Sequence, residues 1–312
     1  MITFQKLSER PSVFARLVGV TVDEFNLLHD VFASIWRNFQ YETFVKGRKR
    51  ERSFGGGNKP KLTSTQDKLL FILLYFKLYP LQIVMGMWFG IDESNINRWI
   101  HRLTPLMEIT LGFKQVLPVR KGGGRPRGRS LDEIIAEYPD LKDILIDGVE
   151  RPTRRPKNKQ KQKDNYSGKK KRHTRKNILL SDTKKGYIHY LGKTHGGHTH
   201  DKTAAEEEEL LFPSSTTVGA DLGFLGYKMG NAHMVLPAKR KRHQELSDTI
   251  KDQNRIFSGI RVKIEHGICG VKRSHIVSDT YRNRKMGFDD LSMYIACGLH
   301  NFRVVNRQYT KN

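Results

Sequence analysis

Two short apolar runs of this chain stop at an aspartate and are followed at once or nearly so by glycine: ILIDG at 144–148 and VGADLG at 218–223. Runs of that length and β-branched content read as central or parallel strands, and a carboxylate at the end of such a strand stands at its exposed tip. The expected architecture is therefore α/β, with helices covering a sheet that presents Asp147 and Asp221.

A third stretch, RIFSGIRVKIEHGICGVKR at 255–273, reads as a helix. Ile256, Ile260, Ile264, Ile268 and Val271 recur every three to four residues and predict one buried stripe. Arg261, Glu265 and Lys272 stand on the neighbouring faces. Taken alone, one carboxylate between two cations is a salt-bridged helix face of small energetic value. Joined to Asp147 and Asp221, the glutamate completes an oxygen-rich cluster in the order Asp, Asp, Glu. Such a cluster does not ionise fully without cations, because neighbouring carboxylates raise one another's pKa. Mg²⁺ or Mn²⁺ takes carboxylate and water oxygens. Two such ions about 3.5–4 Å apart can activate water and stabilise the leaving oxygen in phosphodiester chemistry.

Charge indicates the partner. With 56 Lys+Arg against 32 Asp+Glu the formal charge is +24, which calls for a polyanion and most economically nucleic acid. A content of 16 Phe, 11 Tyr and 3 Trp separates the chain from histone-like tails, and 312 residues with 37% hydrophobic content suit one large domain plus a smaller one. Two cysteines, Cys269 and Cys297, make neither a disulfide framework nor a zinc site and read as small packing residues in a reducing compartment. The N-terminus has no signal-peptide core, and no apolar run reaches the roughly 18 residues of a membrane span. The expectation is a cytoplasmic protein associated with the nucleoid through DNA, with no membrane contact.

Residues 1–117 read as a helical region. A capping box from Thr21 to Glu24 opens a helix over 21–44. The basic segment GRKRERSFGGGNKPK that follows reads as a linker or phosphate-contacting loop; it lacks the lysine and hydroxyl of a nucleotide-binding loop. Three helical pieces follow over 63–107. Thr63 and Gln66 cap the first, Pro80 ends it, and Gly90 ends the second. The third starts at Asp92 with Ile96, Ile100 and Leu103 inward and Asn95, Asn97, Arg98, His101 and Arg102 outward. That is a helix-turn-helix pattern, which makes Asn95, Asn97, Arg98 and Arg102 candidate DNA contacts; a plain helical bundle is the alternative. A basic linker at 118–130 then separates this region from a catalytic domain over 131–312.

Within that domain Ser130 and Glu133 cap a short helix ahead of the Asp147 strand. The basic run at 151–177 is either a solvated face or a DNA-contacting one, and Arg151 and Arg155 are placed to hold a scissile phosphate. NILLSD and KGYIHYLG, with a turn at 182–186, predict an antiparallel meander with the Asp147 strand. His195, His198 and His200 lack the fixed spacing of a zinc site. Asp201 reads as a helix N-cap and as the substitute should one of the three carboxylates be misassigned. VLPAK forms one more strand, and a last helix runs from about 289 to 302.

The strings ILIDGVERPTRRP, YSGKKKRHTRKNILLSD, HTHDK, ADLGFLGY, RVKIEHGICGVKR and YRNRKMGFDDLSMYIACGLHNF, in that order, resemble IS5-type DDE transposases with an N-terminal helix-turn-helix. The resemblance implies an RNase H-like core, a mixed sheet with helices on both faces in the order strand, strand, strand, helix, strand, helix, strand, helix. It implies Asp147, Asp221 and Glu265 as catalytic and metal-holding residues; they are separated by 74 and 44 residues, without room for a large insertion domain. The family's Tyr-Arg-Glu-Lys signature falls on Ser258, Arg261, Glu265 and Lys272, so the tyrosine is missing. Arg261 and Lys272 then become candidate DNA contacts. The implied activity is metal-dependent hydrolysis at transposon ends and transfer of the 3′-OH into target DNA. The implied cofactors are two Mg²⁺ or Mn²⁺ ions, and the implied partners are terminal inverted repeats and target duplex, with at least a homodimer in the active complex. The competing readings are an endonuclease without joining activity, a domesticated DNA-binding protein, and a basic RNA-binding protein without catalysis.

Overall fold

The computed structural model describes residues 1–46, 54, 60–120, 142–240 and 245–307, and the chain divides into two compact units. One comprises Met1–Val116 with Arg273–Ile276, the other Leu117–Lys272 with Val277–Gln308. The expected linker at 118–130, the helix capped by Ser130 and Glu133, and the glycine-bearing basic segment lie largely outside the described residues.

The first unit is helical: α1 Phe4–Ser8, α2 Pro11–Val18, α3 Val22–Val45, α4 Thr65–Leu78, α5 Gln82–Phe89 and α6 Glu93–Phe113. α3 starts at the expected capping box, in which the Thr21 hydroxyl accepts from the Glu24 N–H (3.1 Å) and the Glu24 carboxylate accepts from the Thr21 N–H (2.8 Å). The cap of α4 is Ser64 instead of Thr63; its hydroxyl accepts from the Asp67 N–H at 2.9 Å. α4 is buried on every side from Lys68 to Phe76, which makes it the axis of the unit. Lys68 is tolerated there because its ammonium donates to the carbonyls of Thr63 and Ser64 and lies over the Trp36 ring, 5.0 Å from its centroid. Burial pushes that ammonium down to about 8. α5 stops where Gly90 takes a φ of 63°, and α6 follows with Ile96, Ile100 and Leu103 buried.

The second unit is built on a mixed sheet of β1 Asp143–Pro152, β2 Tyr166–Ser167, β3 Arg172–Asp182, β4 Ile188–Leu191, β5 His195–Gly196, β6 Thr217–Gly219 and β7 His233–Val235. Its order is β2-β3-β1-β6-β7, with β4 and β5 also paired to β3. β1, β3 and β4 run antiparallel, as the expected meander requires, while β6 and β7 continue the sheet in parallel. The turn into β4 is wrapped around the Asp182 carboxylate, which accepts from the backbone N–H groups of Lys184 and Gly186 at 2.8 and 3.2 Å.

The helices are α7 Lys159–Asn165, α8 Asp201–Glu206, α9 Asp248–Lys272, α10 His275–Ser278 and α11 Phe288–Asn306. Ile144, Ile146, Ile178 and Leu180 share an apolar core with Ala204 and Ala205 of α8 and with Phe224 and Tyr227 beyond it. α9 packs on β1 and β3, and α11 packs on β4 and α9. No helix among the described residues is long and apolar enough to cross a membrane.

Four expectations change. The basic run after Asp147 is ordered, because β1 continues through Pro152 and β3 begins at Arg172, five residues ahead of the expected strand. Between β6 and β7 there is a 3₁₀ turn, Leu222–Phe224, and no full helix; β7 ends at Val235, where VLPAK was expected to begin. The stripe of α9 is buried only at Ile264, Ile268 and Val271, whereas Ile256 is 68% exposed and Ile260 is also exposed. Ile256 and Ile260 line a cleft with β1, β6 and β7 instead of closing onto the sheet. Cys297 is buried as expected, with its thiol pushed up to about 12 by burial, but Cys269 is exposed.

Asn301 of α11 pins β4. It is fully buried, its side-chain oxygen accepts from the Ile188 N–H, and its amide donates to the Ile188 carbonyl, both at 2.8 Å. Asn301→Ala strips both backbone groups of these partners and is expected to cost about 2–4 kcal/mol in urea unfolding; a loss below about 0.5 kcal/mol would show that β4 does not depend on this clamp.

Candidate active site

β1 and β6 set the positions of two carboxylates. Their parallel register pairs Asp143 with Thr217 and Leu145 with Gly219. Carried two residues further on each chain, it brings Asp147 level with Asp221. Asp147 lies in the middle of β1 and not at its tip, since β1 goes on beside β3. β6 ends at Gly219, however, so Asp147 has no paired strand on that side. Asp221 does stand just past a strand end, where it caps the 3₁₀ turn and accepts from the Gly223 N–H at 2.7 Å. The Asp147 carboxylate accepts from the Gly148 N–H, also at 2.7 Å.

Burial is the main cause that raises the Asp147 carboxyl, to about 6. The charges of Asp221 and Asp201 act in the same direction, against the Gly148 N–H and the Arg261 guanidinium. Arg261 comes from α9, as does Lys272. Burial, reinforced by Lys170, holds the Lys272 ammonium below its ordinary value, against Cys269, Asp147 and Glu150. Arg261 reaches Glu265 only at 4.0 Å, and its buried Nε has no hydrogen-bond partner. Glu265 is the outlier of the three carboxylates: its side chain is 54% exposed.

Asp201 stands closer to the centre than the sequence suggested. It is the first residue of α8, behind His200 as N-cap, and its side chain makes an ion pair with Lys176 of β3 at 2.8 Å. A Cβ placed on Gly148 would lie 2.5 Å from the Asp201 carboxylate, and one on Gly223 would touch both Asp221 (2.8 Å) and Asp201 (3.2 Å). Lys176 was hidden in a charge run. The signal that could have found it is alternation, since Lys176, Ile178 and Leu180 share one face of β3.

Among the described residues no group of three His, Cys, Asp or Glu side chains is close enough to hold a metal ion. The donor chemistry of Asp147 and Asp221 nevertheless fits a hard divalent cation, since both offer only carboxylate oxygens, whereas the Asp201 carboxylate is already held by the Lys176 ammonium at 2.8 Å. His195 lies instead beside Glu207 and Glu208, at 3.5 Å from each.

The candidate DNA contacts separate into three groups. Arg151 is only 4% exposed and is committed inside the protein. Its guanidinium donates to the Asn177 side chain (3.1 and 2.8 Å), the Asp289 carbonyl (3.0 Å) and the Thr194 hydroxyl (3.2 Å). Arg155 is exposed and donates to Gln162 at 3.1 and 2.9 Å. On α6, Asn97, Arg98 and Arg102 are exposed, while Asn95 is half-buried and accepts from Arg98 at 3.3 Å.

Residues 146–301 match a family model described as "DDE superfamily endonuclease", and residues 60–113 match "Helix-turn-helix of DDE superfamily endonuclease". The chain is 27% identical over 292 residues, covering 93% of it and 94% of the relative, to "Probable transposase for insertion sequence element IS702" of Microchaete diplosiphon. No solved structure matches.

The raised Asp147 carboxyl gives a signed test. Folded Asp147 keeps its proton up to about 6, against 3.8 in its ordinary state, so its protonation adds stability that is complete below 3.8 and lost as pH rises through 6. Metal-free Asp147→Asn is therefore expected to gain stability over the parent above about pH 6, with the gain shrinking as the pH falls toward 4. Urea unfolding in chelator across that range reads the difference, and parallel pH curves for the two proteins would refute it.

Proposed function

We propose, since this chain belongs to the DDE superfamily of endonucleases, that Asp147, Asp221 and Glu265 are its catalytic carboxylates. The protein is a DNA transposase with a helix-turn-helix that binds DNA. The observation that carries the assignment of the carboxylates is the β1–β6 register, which sets Asp147 level with Asp221 where β6 has ended. α9 lies beside them with Arg261 against Asp147. The sheet order, three antiparallel strands continued by two parallel ones, supports an RNase H-like core. The quoted strings support an IS5-type assignment.

Divalent metal ions are general to this superfamily. Asp147, Asp221 and Glu265 would hold two Mg²⁺ or Mn²⁺ ions, which when bound supply a nucleophile at neutral pH and a clamp on the leaving oxygen. This chain's own residues do the rest. Arg261, with a buried Nε that has no partner, offers a hydrogen bond to a phosphate oxygen of the scissile strand. Lys272 adds positive charge on the same face of the sheet. Glu265, exposed and only loosely held by Arg261, is free to turn inward when DNA takes over the guanidinium.

In the first step water adds to the phosphorus at the element's end, the P–O3′ bond breaks, and a 3′-OH is freed. In the second, that 3′-OH attacks a target phosphodiester, its proton leaves, and the broken P–O bond passes its electron pair to the departing target 3′ oxygen. Catalysis on this reading is positioning and electrostatic stabilisation. The DNA substrates are terminal inverted repeats and target duplex. Because two ends are joined, the working assembly is at least a dimer, acting on DNA in the cytoplasm.

The test uses a labelled duplex carrying the element's end, with Mg²⁺ or Mn²⁺. Asp147→Asn, Asp221→Asn and Glu265→Gln are each expected to lower cleavage and joining by at least about 10³-fold while DNA binding persists. Cleavage without joining in the parent would point to a nuclease, and full activity in any one variant would remove that residue from the set. For binding, Arg155→Ala and Arg98→Ala are each expected to reduce the slope of log affinity against log salt by about 0.9 if they neutralise one phosphate. Unchanged slopes in a salt titration would place both residues off the DNA.

A further inference from the structure

Beyond the end of β1 the basic run folds back on itself and encloses a recess of about 780 Å³, within the range of about 300–1,000 Å³ that small-molecule sites occupy. Arg155, Lys163, Tyr166 and His173 line it, together with Gln160 and His198. Its walls are fixed. Asn158 caps α7 by accepting from the Lys161 N–H at 3.0 Å, and the far end of α7 sits on β5, where the His198 N–H donates to the Asp164 carbonyl at 3.1 Å. A Cβ on Gly196 would lie 2.2 Å from that carbonyl oxygen, so the close approach needs glycine. Tyr166 pairs with His173 across β2 and β3, and their rings meet edge to face with centroids 5.7 Å apart. Tyr166 is nevertheless 42% exposed. The Arg155 guanidinium is held by its two hydrogen bonds to Gln162, which itself donates to the Pro156 carbonyl at 2.8 Å. Nη1 of Arg155 makes no hydrogen bond among the described residues.

Charge on this lobe is almost all positive. Asp164 is the one acidic residue between 151 and 177, and its carboxylate already accepts from Gln160 at 2.9 Å. A solvated cationic face needs neither walls nor rings, and a flat surface would meet the phosphates of a duplex as well. A fixed aromatic pair in a concave site suits a group with a π-face, which a nucleobase offers only when it has left the stack. We infer that this recess takes an unpaired nucleotide of the DNA substrate, its base against Tyr166 and His173 and its phosphate on Arg155 and Lys163. The inference rests on the reading of the protein as a DNA transposase. Thr153 donates to the His173 carbonyl at 2.9 Å, so the ring pair lies level with a residue six places beyond Asp147. Six residues of strand are about 20 Å, and a DNA strand advances about 3.4 Å per nucleotide, which sets the base about six nucleotides from a phosphate at Asp147.

The experiment compares two end duplexes binding to the full chain in chelator: one fully paired, the other carrying about eight unpaired nucleotides beyond the scissile position, enough to span that distance. The parent is expected to bind the extended duplex about tenfold more tightly. Tyr166→Ala is expected to remove that preference while leaving affinity for the paired duplex unchanged, and Tyr166→Phe to keep it. Lys163→Gln is expected to reduce the slope of log affinity against log salt for the extended duplex by about 0.7, the single-strand value. Thermal melting checks folding. Should Tyr166→Ala fail to melt cooperatively, the parent bound to an iodouracil-substituted extension is expected to crosslink at Tyr166 or His173 on irradiation. Equal affinity of the parent for the two duplexes, a preference that survives Tyr166→Ala, or crosslinks only at other residues would each overturn the inference and leave the transposase reading standing. An unchanged slope in Lys163→Gln would overturn the placement of the phosphate. A parent that binds neither duplex would overturn the DNA-binding reading itself.

Discussion

Carboxylates brought close together in a partly buried place repel one another, and the surroundings must either supply cations or accept protonation. Four of them, Asp147, Glu150, Asp201 and Asp221, gather along one half of β1 and the turn after β6. The fold divides the compensation between the two faces of the sheet. On the α8 face Lys176 serves Glu150 and Asp201 from within the core. On the α9 face Arg261 and Lys272 stand toward Asp147. The match there is incomplete, since the Arg261 Nε lacks a partner and Asp147 remains raised. The site thus keeps a raised carboxylate and a guanidinium edge without a hydrogen bond.

The sheet makes this possible by asking two things of one strand. β1 pairs with β3 over its full length, which fixes it rigidly, but with β6 over only three residues. The short partner leaves one edge of β1 uncovered from Asp147 onward, and the chain beyond β6 turns tightly so that Asp221 occupies that gap. A longer β6 would pair with that edge of β1 and displace the turn that carries Asp221. Gly148 and Gly223 complete the opening, since a side chain at either would meet Asp201.

Much of this was legible in the sequence, for physical reasons that differ from element to element. The capping box at Thr21 and the stop at Gly90 are local chemistry and were found where expected. The pairing of Asp147 with Asp221 could be anticipated because both end apolar runs. The extent of β1 could not, because its second half is held by side chains far away in sequence: Arg151 finds Asn177 and the Asp289 carbonyl, and those partners make burial of a guanidinium tolerable. Lys176 was masked for a different reason. In a run of cations it looks like Lys169 or Lys170, and only its alternation with Ile178 and Leu180 marks the inward face. The α9 stripe failed in the other direction: periodicity promised burial at Ile256, but that side chain stays exposed at a cleft it lines with β1, β6 and β7.

The positive charge of the chain therefore has two separate uses. Part of it is internal: Lys68 under two tryptophans, Arg120 on Asp290, Arg151 and Arg175 around α11, and Lys176 beneath the active site. These cations meet local demands and add nothing to a DNA-binding face by contact. What remains at the surface is the exposed set, which includes Arg155, the lysines of α7 and of the β2–β3 turn, and the outer face of α6. Burying cations lets a site of high negative charge exist inside a protein whose surface attracts phosphate. Arg261 stands between the two sets, because its charge acts on Asp147 while its buried Nε has no hydrogen-bond partner.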